Sequence, residues 1–162
     1  MWCPALVQWP SEHQRRARLA EAGIPRLLVV AAGSDIPTDV ADDEDWVRLP
    51  AGERDVAARL NNLEHRFRDA VRLDGRMLWA GSRRATLSAV EVRLVSALLE
   101  AGGGIVPRSV LAAEVGPDPS PGGRRLHDTV HRLRRRLHPL GLDVFVAPRR
   151  GYALGLLIDD SA

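Results

Sequence analysis

Arginines and apolar residues alternate with helical spacing in the segment from Gly122 to Leu137, GGRRLHDTVHRLRRRL, which holds six arginines and one acid. Its apolar residues recur at intervals of four, three and four, the period of an α-helix with one buried stripe. At about 100° per residue, the opposite arc collects polar side chains. These are Arg124, Arg125, Asp128, His131, Arg132 and Arg135. The pattern predicts a cationic helix face that suits a groove of duplex DNA.

Arginine is suited to reading DNA because its planar guanidinium can bridge the O6 and N7 atoms of guanine, which discriminates by about 1 to 3 kcal/mol. Arg132, at the centre of the arc, and Arg125 are predicted to contact bases. Asp128 is predicted to accept a hydrogen bond from a cytosine amine or to orient Arg132. Phosphate contacts position a protein without reading sequence. The side chains predicted to make them are Arg108, Arg124, Thr129, His131 and Arg135.

Other interpretations of the same residues stay open. A basic helix is often only a solvated face, and Arg134 and Arg136 flank the apolar stripe, so they either pack their stems or contact phosphate. His127 and His131 have a zinc-compatible spacing, but no third ligand accompanies them. Ser88 is a predicted helix cap, and no base or acid partner for it is recognisable. We therefore expect no catalytic residue, no metal and no cofactor.

Charge is distributed unevenly along the 162 residues. Residues 1–70 hold 9 Arg and 12 acids, net −3, whereas residues 71–162 hold 14 Arg and 9 acids, net +5. The C-terminal part is thus where a polyanion would be steered. The composition, 45% hydrophobic and 27% charged, is ordinary for a globular protein. No apolar run approaches the roughly 18 residues of a membrane helix, and we expect a cytoplasmic protein without membrane association.

The N-terminal part, residues 1–68, is predicted to be a small α/β module. A capping box of Ser11 and Gln14 is expected to open a helix that ends at Ala22, where Gly23 and Pro25 follow. The acidic stretch from Asp35 to Asp45 is expected to be a loop. The other predicted elements are strands at Ala5–Trp9, Arg26–Ala32 and Trp46–Leu49 and a helix at Glu53–Phe67, with Val56, Leu60, Leu63 and Phe67 on one side.

The C-terminal part, residues 70–158, has a different pattern of predicted elements. The predicted fold class of the whole chain is α+β. Its predicted order is a β-meander, three helices and a hairpin. A capping box of Ser88 and Glu91 opens the first helix, whose core stripe is Val90, Leu94, Ala97 and Leu98. The other predicted elements are strands at Val71–Leu73, Met77–Trp79 and Ala85–Leu87, a helix at Pro107–Val115, a loop at 116–123, the arginine-rich helix, and a hairpin of Leu142–Val146 with Tyr152–Leu156.

Four fragments in this order resemble the winged-helix output domain of OmpR/PhoB-type response regulators: LSAVEVRLVSALLEAGG, VPRSVLAAEV, RRLHDTVHRLRRRL and RRGYAL. The resemblance covers residues 71 to 156. It implies a winged helix-turn-helix with helix 124–137 as the recognition helix, Pro107–Val115 as the supporting helix and the 144–154 hairpin as the wing. At the wing tip, Arg149 or Arg150 would reach the minor groove. It also implies that loop 116–123 lies where family members touch RNA polymerase.

The N-terminal part is similar to the end of a receiver domain in the stretch EDWVRLPAGERDVAARLNNLEHRF. Leu49, rather than lysine, precedes Pro50, and the strand RLLVVAA is followed by glycine and serine before Asp35. Some 66 residues are also few beside the roughly 120 of a complete receiver. We expect a shortened receiver-like module that is not phosphorylated and that supplies a dimer surface or binds a partner.

Three hypotheses of function follow. The first is a sequence-specific transcription regulator that binds double-stranded DNA as a homodimer or in tandem, with helix 124–137 in the major groove and wing tip 147–151 in or near the minor groove. The alternative is a protein-interaction adaptor of the transcription or signalling machinery that reuses a winged-helix scaffold. The third is an enzyme, for which no catalytic constellation is recognisable.

Overall fold

A computed structural model of the protein describes residues 3–117 and 124–157. The chain divides into two compact units at the boundary between Ala70 and Val71. Of the predicted loop 116–123, residues 118–123 lie outside the described residues, as does residue 158 of the predicted C-terminal domain.

The N-terminal unit is a three-stranded parallel sheet with two helices. Strand β1 (Ala5–Trp9) pairs with β2 (Arg26–Val30), and β2 pairs with β3 (Glu44–Arg48), so that β2 is central. Helix α1 (His13–Ala22) joins β1 to β2, and α2 (Glu53–Asp69) follows β3. All five residues of β2 are buried, as expected for an apolar run covered on both faces of a parallel sheet.

Helix α2 covers one face of this sheet. Its Leu63 forms a core cluster with Leu27, Val29 and Val47, and Val56 and Leu60 pack against the cluster. The apolar side of α2 therefore faces the sheet, as the spacing of its apolar residues predicts.

The start of α1 differs from the prediction. The N-cap is Glu12, with no side-chain cap bond, so the expected capping box of Ser11 and Gln14 is wrong. Residues 10–12 form a turn directly after β1. That turn places Ser11 too early to cap the helix. At the other end, Gly23 adopts the left-handed conformation that ends a helix.

The C-terminal unit has the winged helix-turn-helix order. Strands β4 (Val71–Asp74), β5 (Met77–Ala80) and β6 (Arg83–Thr86) form an antiparallel meander. Three helices follow: α3 (Ala89–Glu100), α4 (Arg108–Val115) and α5 (Arg124–Leu137). After a 3-10 turn at His138–Leu140, β8 (Leu142–Ala147) and β9 (Gly151–Leu156) form the hairpin. The predicted α+β class and the order of the elements are confirmed.

A two-residue strand, β7 (Val106–Pro107), pairs antiparallel with β9 and was missed in the sequence. Pro107 was expected in the first turn of the helix, but it is the N-cap of α4 and belongs to β7. So short a strand has no local signal because only its pairing with β9 defines it.

The capping box of α3 is confirmed: Ser88 accepts a hydrogen bond from the backbone of Glu91, and the Glu91 carboxylate accepts one from the backbone of Ser88. The core stripe is rotated slightly from the prediction, since Val95 is fully buried whereas Val90 and Ala97 are only partly covered. The core of this unit is largely leucine. Its fully buried leucines are Leu78, Leu87, Leu94, Leu98, Leu111, Leu133, Leu137, Leu140, Leu142, Leu154 and Leu156.

Candidate nucleic-acid interface

Helix α5 is amphipathic in the structure as in the sequence. Its apolar stripe is buried, with at most 3% of any side chain exposed: Leu126, Val130, Leu133 and Leu137. Every residue of the predicted polar arc is exposed: Arg124, Arg125, Asp128, His131, Arg132 and Arg135. Since the core holds one side of the helix, the cationic side is presented to solvent in a fixed orientation.

Arg132 lies at the centre of the exposed arc. Its Nε donates to the backbone carbonyl of Asp128 at 3.3 Å, rather than to the carboxylate. The bond is long and uses only one of the five N–H groups of the guanidinium. Both side chains therefore keep their hydrogen-bonding edges available, Arg132 as a donor and Asp128 as an acceptor.

Arg125 is exposed, but its Nη1 donates to the carbonyl oxygen of Pro117, at the start of the predicted loop. The side chain thus links α5 to the segment that follows α4. A contact between Arg125 and a base requires that this bond be exchanged for one to DNA.

Thr129 cannot serve as the phosphate ligand that the sequence predicts. Its side chain is buried, with 4% exposed, and its hydroxyl donates to the backbone carbonyl of Arg125 at 2.7 Å. A phosphate oxygen cannot approach a hydroxyl that is turned against its own helix and covered by the core. Threonine often makes such a bond to the preceding turn, and it belongs to the apolar stripe here.

Arg134 holds the wing rather than facing solvent. Its Nε donates to the carbonyl oxygen of Val144 at 2.9 Å, and Nη2 donates to the same oxygen. The Nε also lies 3.3 Å from the Asp143 carboxylate. Strand β8 is at the edge of its sheet, so Arg134 satisfies an edge carbonyl that the ladder leaves open. Arg136, the other flanking arginine, is exposed.

The wing tip is a tight turn that carries two exposed arginines. The backbone N–H of Arg150 donates to the carbonyl of Ala147, which closes a four-residue turn with Pro148 and Arg149 at its centre. Arg149 has φ 62°, the one positive φ at a non-glycine among the described residues. That conformation costs an L-residue roughly 1 to 2 kcal/mol. Retained strain of this kind is a feature of functional sites.

Gly151, next to the tip, is required by close packing. It has φ 148°, and a Cβ added there would lie 2.0 Å from the carbonyl oxygen of Val106. The glycine therefore allows β7 to approach β9, and that approach holds the base of the wing against the start of α4.

Arg108 is exposed at the first position of α4, and its Nη1 lies 3.5 Å from the hydroxyl of Tyr152. Tyr152 is only 5% exposed, so it is a core residue at the base of the wing. Arg108 is thus placed between the supporting helix and the wing, at a helix N-terminus, where backbone N–H groups favour anions.

In the N-terminal unit, the parallel strands end at Trp9, Val30 and Arg48, and none of these three positions is an aspartate. The loop after β2 returns Asp35 to this end of the sheet, where its backbone carbonyl accepts a hydrogen bond from the Trp9 indole at 3.0 Å. Its carboxylate is exposed rather than enclosed by other acids.

Sequence reasoning missed a buried charge cluster at Glu44, whose side chain is 0% exposed. Glu44 accepts hydrogen bonds from Arg16 at 2.7 Å and from Arg26 at 2.7 Å. The hydrogen bond to Glu44 raises the pKa of Arg16, and burial opposes that rise. One visible signal was an arginine, Arg26, at the first position of an otherwise apolar strand. The cluster also anchors the acidic segment between β2 and β3, because Arg16 bonds Asp39.

Within residues 3–117 and 124–157, no group of three or more His, Cys, Asp or Glu side chains could hold a metal ion, and no helix is long and apolar enough to cross a membrane.

The chain matches no protein-family profile and no curated protein sequence. Among solved structures it is similar to the DNA-binding domain of the response regulator AdeR, crystallised in complex with an intercistronic region. The identity is 16%, the match covers 54% of this chain and 96% of that one, and the TM-score is 0.47.

Two further likenesses extend over 92% of this chain. One is to a C128D mutant of RitR, with 16% identity, 63% of that chain covered and a TM-score of 0.43. The other is to a protein described as one of a novel family of redox sensors in the streptococci that evolved from two-component response regulators. It shows 13% identity, 77% coverage of that chain and a TM-score of 0.43. Each of these likenesses concerns the fold alone.

Proposed function

We propose that this chain is a transcription regulator that binds double-stranded DNA through residues 71–157. The observation that carries the proposal is the exposed face of α5, where cationic side chains surround Asp128 on a helix that the core holds in place. Arg124, Arg132 and Arg135 make no ion pair with any described residue. Cations without an ion-pair partner on a rigid helix are suited to a polyanion.

In this proposal α5 enters the major groove, which is wide enough for a helix. Arg132 and Asp128 read bases, and Arg125 joins them when its bond to Pro117 is exchanged. Arg124, His131 and Arg135 bind phosphates on either side of the groove, as does Arg108 at the start of α4. Phosphate contacts from the helix and from its support would fix the register of α5 on the duplex.

The wing tip, residues 147–151, would lie in or near the minor groove. Of its two arginines, Arg149 is the better candidate for the groove because its backbone is held in a costly conformation that a glycine would adopt freely. Arg150 then binds the flanking phosphate. A narrow minor groove attracts arginine through its negative potential, so the wing would read shape rather than base edges.

The remaining parts of the proposal concern partners and control. The chain acts without catalysis or cofactor, as a homodimer or in tandem, in the cytoplasm. The N-terminal unit does not accept a phosphoryl group, since no strand of its described sheet ends in an aspartate. RNA polymerase would contact loop 116–123.

Selection of bound duplexes from a random library, followed by footprinting, tests DNA binding. We expect the selection to enrich a motif whose half-sites lie about one helical turn apart. Four arginines at phosphates predict that log K falls with log salt at a slope of about −4, and that Arg135→Ala reduces the slope by about 1.

Arg18→Ala is the matched control, because Arg18 is an exposed arginine of α1 that should leave the motif and the salt slope unchanged. Failure to enrich any motif would contradict the proposal. If Arg132→Ala and Arg149→Ala left regulation intact while changes in the acidic stretch from Asp35 to Asp45 abolished a protein complex, the adaptor function would replace DNA binding.

A further inference from the structure

The meander carries a row of three side chains that the DNA-binding proposal does not use. Arg72 pairs with Trp79 across β4 and β5, and Trp79 pairs with Arg84 across β5 and β6. Directly paired residues share a face of a sheet, so the three lie side by side. Each guanidinium carbon lies over the Trp79 ring, 5.2 Å from its centroid. We call this row the Arg–Trp–Arg face.

The Arg–Trp–Arg face is turned away from the core of its unit. Leu78 and Ala80, on the opposite face of β5, are buried, whereas both arginines are exposed and Trp79 is partly exposed. Within the described part of the chain, neither arginine has an acidic partner. Tryptophan and arginine are the residues most enriched at the energetic centres of protein interfaces. A row of cations held over a partly exposed indole therefore indicates a docking surface for an acidic protein segment.

The N-terminal unit presents a segment of that chemistry, residues 31–43, which we call the acidic loop. It contains four acids and no basic residue. Two large apolar side chains lie among the acids and are exposed, Ile36 by 43% and Val40 by 39%. Large exposed apolar residues beside acids suit an aromatic surface that is rimmed by cations.

Three hydrogen bonds hold the acidic loop in one shape. The Trp9 indole donates to the carbonyl of Asp35 at 3.0 Å, Arg48 to that of Ser34 at 2.8 Å, and Arg16 to that of Asp39 at 2.8 Å. A loop that is already ordered loses little conformational entropy when it binds. Its exposed side chains are thus ready for a partner.

The geometry of the N-terminal unit favours a partner in another molecule. Asp35 lies at the carboxyl end of the sheet, where α2 begins, and Arg66 near the end of α2 bonds the carbonyl of Glu44 at the opposite end. The 17 residues of α2 span about 25 Å at 1.5 Å per residue. The Asp35 and Ile36 end of the acidic loop is therefore held about that far from Ala70, where the chain leaves this unit, whereas Asp42 precedes Asp43 at the Ala70 end of the sheet.

We propose that the acidic loop of one copy of this chain docks on the Arg–Trp–Arg face of a second copy. Ile36 packs on Trp79, while Asp35 and Asp42 pair with Arg72 and Arg84. This docking rests on the homodimer of the proposed function and specifies the residues that make its contacts. Because self-association is measured without DNA, its failure and the failure of DNA binding are distinguishable.

Sedimentation equilibrium of the full chain tests this docking. We expect reversible self-association that weakens as NaCl is raised, since exposed charge pairs are screened by salt. Reversing the face (Arg72→Glu with Arg84→Glu) or the loop (Asp35→Arg with Asp42→Arg) should each weaken association about tenfold or more. The variant with all four changes should regain most of the lost affinity, because the charges are complementary again.

Arg18→Glu with Arg54→Glu is the matched control, since both arginines are exposed and lie outside the two surfaces. It should leave association unchanged. A wild-type chain that stays monomeric at about 100 µM overturns the docking, as does a four-change variant that associates no better than the two reversals. Thermal unfolding of each variant checks that the fold is retained, and the four-change variant separates a lost contact from a damaged surface.

Discussion

Replacing Arg132 and Arg134, two residues apart on α5, is expected to affect two different properties of the protein. Arg134→Ala removes the donors to the carbonyl of Val144 and the contact with Asp143. A hydrogen bond from a charged group contributes about 1.5 to 3 kcal/mol, and the side chain is 29% exposed. We take about 2 kcal/mol as the loss, because solvent screens part of the interaction.

For a unit of this size, 1 kcal/mol shifts the unfolding midpoint by roughly 4 to 8 °C. Arg134→Ala should therefore lower the Tm by about 10 °C. Below that transition, its affinity for the selected motif should fall less than about threefold. Arg132→Ala should do the reverse. It should lower the affinity by about 10- to 100-fold, the value of one base contact, and change the Tm by less than about 3 °C.

Calorimetry and fluorescence anisotropy on the same preparations measure the two quantities, with a motif mutated at each position in turn as a second substrate. Arg132→Ala should also relax the preference at one base position, whereas loss of a phosphate contact weakens binding to all sequences alike. These roles are contradicted if Arg134→Ala loses affinity for the motif while its Tm is unchanged, or if Arg132→Ala destabilises the fold without loss of affinity.

Arg149→Gly should raise the Tm by a few degrees, because glycine adopts φ 62° without strain, while motif affinity falls; a fall in both quantities would show that the wing depends on the side chain for its fold. Gly151→Ala should lower the Tm by more than about 10 °C, since a Cβ at 2.0 Å from the Val106 carbonyl separates β7 from β9, and an unchanged midpoint in calorimetry contradicts this contact. Thr129→Val should leave motif affinity unchanged in anisotropy titrations, because the buried hydroxyl bonds only its own helix; an equal loss of affinity for all sequences would restore Thr129 as a phosphate ligand.

Much of the C-terminal unit was predictable because its signals are local. The capping box of Ser88 and Glu91 is read from two residues, and the stripe of α5 is read from the period of its apolar residues. The exposed polar arc follows from the same period. The hairpin was predictable because apolar strands flank a proline and a glycine, which mark its turn.

Other features had no local signal. The burial of Thr129 depends on how far the core wraps around α5, since threonine occurs both on solvated and on covered helix faces. The role of Arg134 depends on the open edge of β8. Its partner there is ten residues away in the sequence, and only the fold brings the two together. The start of α1 was misplaced because a turn after β1 took the residues that would have formed the cap.

By itself the sequence determined the periodic elements, the α+β class and a helix with one cationic side, because helical period, capping chemistry and charge are properties of neighbouring residues. Only the tertiary structure decided which arginines remain available. Arg134 is used by an edge carbonyl and Arg125 by the carbonyl of Pro117, whereas Arg132 keeps most of its donors free for a ligand. The physical reason is that a hydrogen-bond donor is claimed by whatever acceptor the fold brings within about 3 Å, and sequence spacing does not measure that distance.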